Sequence, residues 1–153
     1  MILDLLRHGA SAPAGPDGDR ERALTREGAR DILRLADRLA ADSPRPDRVF
    51  ASPLLRARET ARIVVDRLAL SVECEELPEL EPDRHPSDVL DALRARGATT
   101  GHVLLVGHQP LLGRLAGALA GGDRGLATGE LARIACDVLS LGGGGLVVAT
   151  FRP

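Results

Sequence analysis

The chain has 153 residues, of which 44% are apolar and 27% are charged, and its formal net charge is −2. This length and balance predict one globular domain, residues 1–153, and exclude an intrinsically disordered chain. The only aromatic residues are Phe50 and Phe151, so the chain lacks rings on which bases could stack, and its slightly acidic charge excludes a basic nucleic-acid binder.

The sequence has none of the patterns typical of export or membrane insertion. No stretch approaches the ~20 apolar residues of a membrane span, and the first residues lack the basic region and long apolar run of a signal peptide. We therefore expect a cytoplasmic protein with no membrane partner. Cys74 and Cys136 are isolated, so neither a zinc knuckle nor a redox pair is indicated.

The first predicted element is a buried strand in residues 3–9, where an apolar run ends in Arg7, His8 and a glycine. A loop in residues 10–23 follows, and Thr25 is then placed to cap a helix. The helix is predicted from apolar residues that recur at helical spacing. These residues are Ala29, Ile32, Leu33, Ala36, Leu39 and Ala40.

Proline and short apolar runs define the next elements. Residues 43–46 end the first helix, and residues 47–51 are predicted to form a second short strand. Pro53 suits the first position of the following helix, with Ser52 as its cap. A third strand is predicted in residues 70–75, near an edge of the sheet.

The middle of the chain contains the pattern most typical of a central strand. Prolines in residues 75–91 exclude a long helix before about Ser87, and a short helix then ends near Gly97. Residues 102–107 are apolar and β-branched, which predicts a central strand leading directly to His108.

The last part of the chain predicts one helix and a hairpin. Pro110 opens the helix, and the glycine pair at 121–122 ends it. Residues 131–139 and 146–151 are predicted strands joined by a glycine turn at 142–145. The alternation of strands and helices predicts an α/β fold, a three-layer α/β/α sandwich with a mostly parallel central sheet and a C-terminal hairpin.

Polar residues follow three of the predicted strands at the point where each strand ends. Arg7 and His8 end the first strand, Ser52 and Arg56 follow the second, and His108 follows the central one. Because ligands bind at the carboxyl ends of strands in open α/β sheets, these residues should meet in one crevice. Two arginines, two histidines and two helix starts suit a phosphoryl group. Metal-ligand spacing is absent, so we expect neither a metal nor another cofactor.

Four stretches, in this order, resemble the motifs of the histidine phosphatase superfamily, whose fold is phosphoglycerate-mutase-like. They are Leu-Arg-His-Gly-Ala-Ser at 6–11, Leu-Thr-Arg-Glu-Gly at 24–28, Ser-Pro-Leu-Leu-Arg-Ala-Arg-Glu-Thr at 52–60 and Val-Gly-His-Gln-Pro at 106–110. The length of the chain and Leu-Pro-Glu-Leu at 77–80 resemble the short SixA-type phosphohistidine phosphatases of that superfamily.

The resemblance implies a role for each matching residue. His8 would be a nucleophile that forms a phosphohistidine intermediate, which water then hydrolyses. Arg7, Arg56 and His108 would bind the phosphoryl oxygens, with Ser11 as a further phosphate-binding residue. We expect the cationic neighbours of His8 to disfavour its imidazolium form and keep it neutral near neutral pH.

A general acid is the least defined part of the predicted site. The resemblance implies a carboxylate after the third strand, and Glu79 matches that place best, with Glu81 and Asp83 as alternatives. The role is also dispensable if the leaving group is an imidazole, which can be protonated from solvent. His85 and His102 have no motif around them and are interpreted as surface or strand-edge residues.

The resemblance implies a phosphatase that acts on a phosphohistidine-bearing protein. Fewer than thirty residues separate Glu79 from the strand before His108, too few for the large helical lid of the members that act on small molecules, so we expect an open site. The alternatives are a broad phosphomonoesterase of small phosphorylated substrates and a catalytically silent phosphate-binding module. The sequence leaves the oligomeric state, the natural substrate and the regulation undetermined.

Overall fold

The structure is a computed structural model of the chain. It describes residues 1–41, 45–122, 124–142 and 144–153. The predicted helix break at 43–46 and the predicted glycine turn at 142–145 therefore lie partly outside the described residues. Within the described residues, no helix is long and apolar enough to cross a membrane.

Six strands and four α-helices make up the regular structure of the described residues. The strands are β1 (Ile2–Arg7), β2 (Arg48–Ala51), β3 (Cys74–Glu76), β4 (His102–Gly107), β5 (Leu131–Ala135) and β6 (Leu146–Phe151). The α-helices are α1 (Arg26–Ala40), α2 (Leu55–Arg67), α3 (Pro86–Ala95) and α4 (Leu111–Ala120). Two short 3-10 helices span Asp19–Glu21 and Pro78–Leu80.

The strands form one sheet in the order β3-β2-β4-β1-β5-β6. The first four of these strands are parallel, and β5 runs antiparallel to both β1 and β6. The predicted mostly parallel sheet with a C-terminal hairpin is therefore confirmed. Strand β4 lies inside the sheet and β3 at its edge, as the sequence predicts.

Helices cover both faces of the sheet and complete the predicted three layers. Leu3 and Leu5 of β1 belong to the core under α3 and α4, whereas Leu6 belongs to the core under α1 and α2. This division follows from the alternation of side chains along a strand. Phe50 is fully buried in the first of these cores, which is otherwise aliphatic.

Helix α1 begins where the sequence predicts but buries a different set of residues. The Thr25 hydroxyl oxygen accepts a hydrogen bond from the Gly28 N–H at 2.9 Å, so the predicted cap is confirmed. Leu33 was predicted to face the core, yet it is 42% exposed, and Leu35 is fully buried instead. Leu35 lies three residues after Ile32 and Leu33 four residues after Ala29, so both fit helical spacing, and only packing against α2 and the sheet distinguishes them.

Three predicted boundaries are wrong, and strand pairing determines two of them. Helix α2 begins at Leu55 rather than Pro53, and its N-cap is Leu54. Strand β3 begins at Cys74, which pairs with Val49 of β2, and not at residue 70. Strand β5 ends at Ala135 rather than at residue 139, because Ala135 pairs with Ile2, the first residue of β1.

The interpretation of His102 as a surface or strand-edge residue is wrong. Its side chain is 3% exposed, and its Nε2 lies 2.8 Å from an oxygen of Asp4. The Asp4 carboxylate also accepts two hydrogen bonds from Arg133. The sheet brings these residues together because β1 lies between β4 and β5.

Replacing Gly28 with alanine is expected to destabilise the protein by about 2 kcal/mol, because overpacking a close backbone contact typically costs 1–3 kcal/mol. A Cβ atom at Gly28 would lie 2.1 Å from the Ala10 carbonyl oxygen, so the chain just after His8 would have to move. Denaturant unfolding measures the loss. Gly15→Ala is the control, since a Cβ there meets nothing within 4 Å; equal stabilities of the two variants would contradict the prediction.

Candidate active site

The parallel pairing of β1 with β4 places two of the predicted residues side by side. Arg7 pairs with Gly107 in the register of the two strands, so the residues that follow, His8 and His108, emerge together at the carboxyl edge of the sheet. Their ring centroids are 4.9 Å apart. The His8 N–H also donates to the Gly107 carbonyl oxygen at 3.1 Å, which holds the two strand ends together.

The first turn of α2 adds an arginine to this pair. Arg56 is 4% exposed, and its Nε donates to Nε2 of His8 at 3.3 Å. Together with Arg7, these side chains lie around a pocket of about 360 Å³. The residues that line it are Arg7, His8, Ala10, Ser11, Arg22, Arg56, Pro82, His108, Gln109 and Thr128. The structure therefore brings Arg7, His8, Arg56, His108 and Ser11 to one pocket, as the sequence predicts.

Hydrogen bonds define which nitrogen of His8 faces the pocket arginine. Nδ1 lies 2.7 Å from the Gly9 carbonyl oxygen. A carbonyl oxygen only accepts, so Nδ1 carries the proton. Nε2 then keeps its lone pair, which accepts the hydrogen bond from Arg56. The ring is oriented so that its nucleophilic nitrogen is the one beside the guanidinium.

Gly9 and Thr60 hold the chain around His8 in place. A Cβ atom on Gly9 would lie 2.9 Å from a carbon of Ile32 and 3.0 Å from the Gly28 carbonyl oxygen, so this position has room only for glycine. The Gly9 N–H donates to the Thr60 hydroxyl oxygen at 3.1 Å, and that hydroxyl donates to the Arg56 carbonyl oxygen at 2.7 Å. Strand β1 and helix α2 are thereby joined at the pocket.

Both pocket histidines are neutral at physiological pH. Burial lowers the pKa of His8 to about 4, and the charges of Arg56, Arg7 and Arg22 lower it as well, against the Gly9 carbonyl, which raises it. Burial and the neighbouring His8 lower the pKa of His108 to about 3. The expected direction for His8 is therefore correct, but burial rather than the cationic neighbours is the larger cause.

We expect the protein to lose stability as the pH falls from 7 to 5. The pKa of His8 lies below its ordinary value of 6.5 when the chain is folded. Protons therefore bind the unfolded chain first, so stability is present above pH 6.5 and declines as the pH falls towards 4. Each such histidine should lower the free energy of unfolding by about 2 kcal/mol between pH 7 and pH 5. Denaturant unfolding at several pH values measures it, and an equally steep decline in His8→Asn would contradict the assignment.

Two residues that the sequence analysis missed complete the charged surroundings of the pocket. Both terminal nitrogens of Arg56 donate to Asp19, one to its carbonyl oxygen at 2.8 Å and one to its carboxylate at 3.1 Å. The same carboxylate accepts from Arg22 at 2.9 Å. These contacts lower the pKa of Asp19. Both residues belong to the predicted loop at 10–23, whose polar composition gave no signal for either.

Arg22 also determines what Ser11 does in this structure. Its guanidinium donates to the Ser11 hydroxyl oxygen at 3.1 Å and to the Ala12 carbonyl oxygen at 2.7 Å. Ser11 lines the pocket, so its expected part in phosphate binding is compatible with its position. Arg22 supplies a third guanidinium to the pocket, beside those of Arg7 and Arg56.

The three carboxylates considered as general acids are not among the residues that line this pocket. Glu79 lies in the 3-10 helix Pro78–Leu80, and its Oε2 is buried without a hydrogen-bond partner among the described residues. Glu81 accepts a hydrogen bond from Arg20 at 3.0 Å. Asp83 is exposed. In this stretch, it is Pro82 that contacts the pocket.

Ser52 has a different role from the predicted one. Instead of capping α2, its hydroxyl lies 2.9 Å from Nε2 of His108. Ser52 is fully buried at the end of β2, the strand next to β4. In the part of the chain that the structure covers, no group of three or more histidine, cysteine, aspartate or glutamate side chains is arranged to hold a metal ion.

Comparison with known proteins identifies the family. The model of the histidine phosphatase superfamily (branch 1) matches residues 3–82. The phosphohistidine phosphatase SixA of Escherichia coli (strain K12) is 35% identical over 126 residues, which cover 80% of this chain and 76% of that protein. The chain therefore belongs to the histidine phosphatase superfamily, branch 1, and is a phosphatase. The resemblance of its four sequence motifs to this family is confirmed.

Solved structures agree with this assignment. The protein histidine phosphatase SixA complexed with tungstate matches with a TM-score of 0.88 and 30% identity, covering 100% of this chain and 97% of that one. The putative phosphohistidine phosphatase SixA from Agrobacterium tumefaciens matches with a TM-score of 0.84 and 25% identity, covering 99% and 97%. The fold is therefore the phosphoglycerate-mutase-like fold that the resemblance implied.

Proposed function

We propose that this chain is a phosphohistidine phosphatase that removes the phosphoryl group from a histidine of another protein, with His8 as the nucleophile. The observation that carries the proposal is the lone pair of His8 Nε2, which lies beside Arg56 in a pocket where the ring is neutral. A neutral imidazole among guanidinium groups suits attack on an anionic phosphoryl group. The similarity to Escherichia coli SixA supports the same substrate class.

The proposed reaction has two steps. Nε2 of His8 attacks phosphorus while the bond from phosphorus to the substrate nitrogen breaks, and that nitrogen keeps the electron pair and takes a proton. Water then attacks the phosphohistidine, releasing inorganic phosphate and neutral His8. Arg7, Arg56 and His108 bind the phosphoryl oxygens through both steps, with Ser11 at the same pocket. Phosphoryl transfer needs mainly this kind of positioning and charge stabilisation.

The leaving imidazole takes its proton from solvent in this proposal. Imidazole has a pKa near neutrality, so it leaves without the strong acid that a sugar alkoxide requires. The position of the three carboxylates supports this, because none of Glu79, Glu81 and Asp83 lines the pocket. The alternative, in which Glu79 is the general acid that the resemblance implies, predicts a loss of turnover in Glu79→Gln.

An open site in a single domain of residues 1–153 is part of the proposal. Between the 3-10 helix Pro78–Leu80 and β4, the chain forms one helix, α3. Its residues Val89, Leu90 and Leu93 are buried in the core, so α3 packs against the sheet, and Pro82 is the residue of this segment that lines the pocket. A pocket without a lid admits a histidine on a protein surface. We place the reaction in the cytoplasm, without a metal ion and without a nucleic-acid or membrane partner.

The decisive experiment compares substrates with a metal chelator present. A phosphohistidine-bearing carrier protein and a panel of sugar and nucleotide phosphates are supplied at equal concentration, and released phosphate is measured. We expect rapid turnover of the phosphoprotein, undiminished by the chelator and unchanged in Glu79→Gln. Preference for a small ester would favour the phosphomonoesterase instead, and loss of activity with the chelator would contradict metal independence.

A further inference from the structure

We infer that Ser52 is a positioning residue that selects the tautomer of His108, so that His108 presents an N–H to the phosphoryl group. The inference rests on the proposed function, in which His108 binds a phosphoryl oxygen. It adds a residue that acts through another and touches no substrate itself. The contact that suggests it is the hydrogen bond between the Ser52 hydroxyl and Nε2 of His108, at 2.9 Å.

The hydrogen bonds around Ser52 fix the direction of that contact. Its oxygen already accepts from the Leu54 N–H at 3.4 Å. Ser52 is 0% exposed, so its hydroxyl proton has no water to bind and needs an acceptor. Nε2 of His108 is the acceptor that the structure provides. A buried hydroxyl whose proton bonds nothing would cost free energy, and this arrangement uses both the donor and the acceptor of Ser52.

The proton of His108 then resides on its other nitrogen. If Nε2 accepts, a neutral imidazole must carry its hydrogen on Nδ1. The low pKa of His108 makes the neutral form the relevant one. Nδ1 is buried and has no hydrogen-bond partner among the described residues, although His108 lines the pocket. A buried N–H without a partner is a donor available for an oxygen of a bound ligand.

The opposite tautomer would impair the site. With the proton on Nε2, Nδ1 would present a lone pair to a phosphoryl oxygen, and the two would repel each other. Donors aimed at the charged oxygens account for much of the rate enhancement in such sites, and losing one typically reduces turnover by 10²–10³. The hydroxyl of Ser52, 56 positions away in the sequence, prevents this loss because it keeps Nε2 of His108 unprotonated.

The test reads the tautomer directly by nitrogen NMR of the ¹⁵N-labelled protein without ligand, with His108→Asn used to assign the signals. In the wild type we expect a protonated Nδ1 and an unprotonated Nε2 on His108. Ser52→Ala should shift the ring towards the opposite tautomer, lower kcat/KM about 10- to 100-fold and weaken binding of inorganic phosphate about 10-fold. Ser52→Thr restores the hydroxyl and should recover most of both.

Ser87→Ala is the matched control, since Ser87 is exposed on α3. A protonated Nε2 on His108 in the wild type would overturn the inference, and so would an unchanged tautomer and phosphate affinity in Ser52→Ala. The spectrum needs no turnover, so it decides the role of Ser52 separately from the proposed function. An inactive wild type with the expected tautomer would count against the proposed function alone.

Discussion

Replacing His8 with alanine is expected to lower phosphatase turnover by at least about 1000-fold and to abolish the phosphoenzyme, because alanine removes the imidazole nitrogen that attacks phosphorus in the covalent route. His8 is the one pocket side chain whose lone pair is held beside Arg56 by hydrogen bonds on both ring nitrogens. His108, the other neutral imidazole of the pocket, has its Nε2 engaged by Ser52 and so does not replace it.

Two measurements check this prediction. Released phosphate gives the turnover, and mass spectrometry after rapid alkaline quenching detects the phosphoryl group on His8. His85→Gln is the control, since His85 is exposed and lies outside the pocket. A phosphoenzyme that persists in His8→Ala, or turnover within tenfold of the wild type, would show that another group attacks phosphorus.

Replacing Arg56 with lysine is expected to lower kcat/KM by about 10²–10³, because lysine supplies a point charge and not a planar fork of donors. Three nitrogens of Arg56 are already in use, with Nε on His8 and both terminal nitrogens on Asp19. Lysine cannot hold His8 and Asp19 together in this way. In the variant, the positive charge at position 56 should therefore be neither oriented by Asp19 nor held beside His8.

The control for Arg56 lies on the same helix. Arg62 is strongly exposed and pairs only with Asp66 at 3.7 Å among the described contacts, so Arg62→Ala should keep the wild-type kcat/KM. Steady-state kinetics of the two variants, with circular dichroism to verify folding, compares them. Equal losses of kcat/KM in the two variants would mean that activity depends on the overall positive charge of α2 and not on the hydrogen bonds of Arg56.

The sequence alone determined the parts of this protein that depend on local pattern. The apolar run before Arg7 and His8 identified β1, and the run before His108 identified β4. Both patterns are short-range, because a strand buried on two faces needs consecutive apolar residues. The order of four motifs then identified the superfamily, since each motif is a continuous stretch. The convergence of Arg7, His8, Arg56 and His108 followed from the rule that parallel strands present their carboxyl ends together.

Only the tertiary structure decided the contacts that make the site work. Three of these contacts join residues that are far apart in the sequence. Ser52 and His108 are 56 positions apart, Asp19 and Arg56 are 37 apart, and Asp4 and His102 are 98 apart. Each depends on which strands are neighbours and on how a loop folds back, and no local pattern encodes either. The tautomer and the low pKa of His8 have the same origin, because burial and hydrogen-bond partners exist only once the chain is folded.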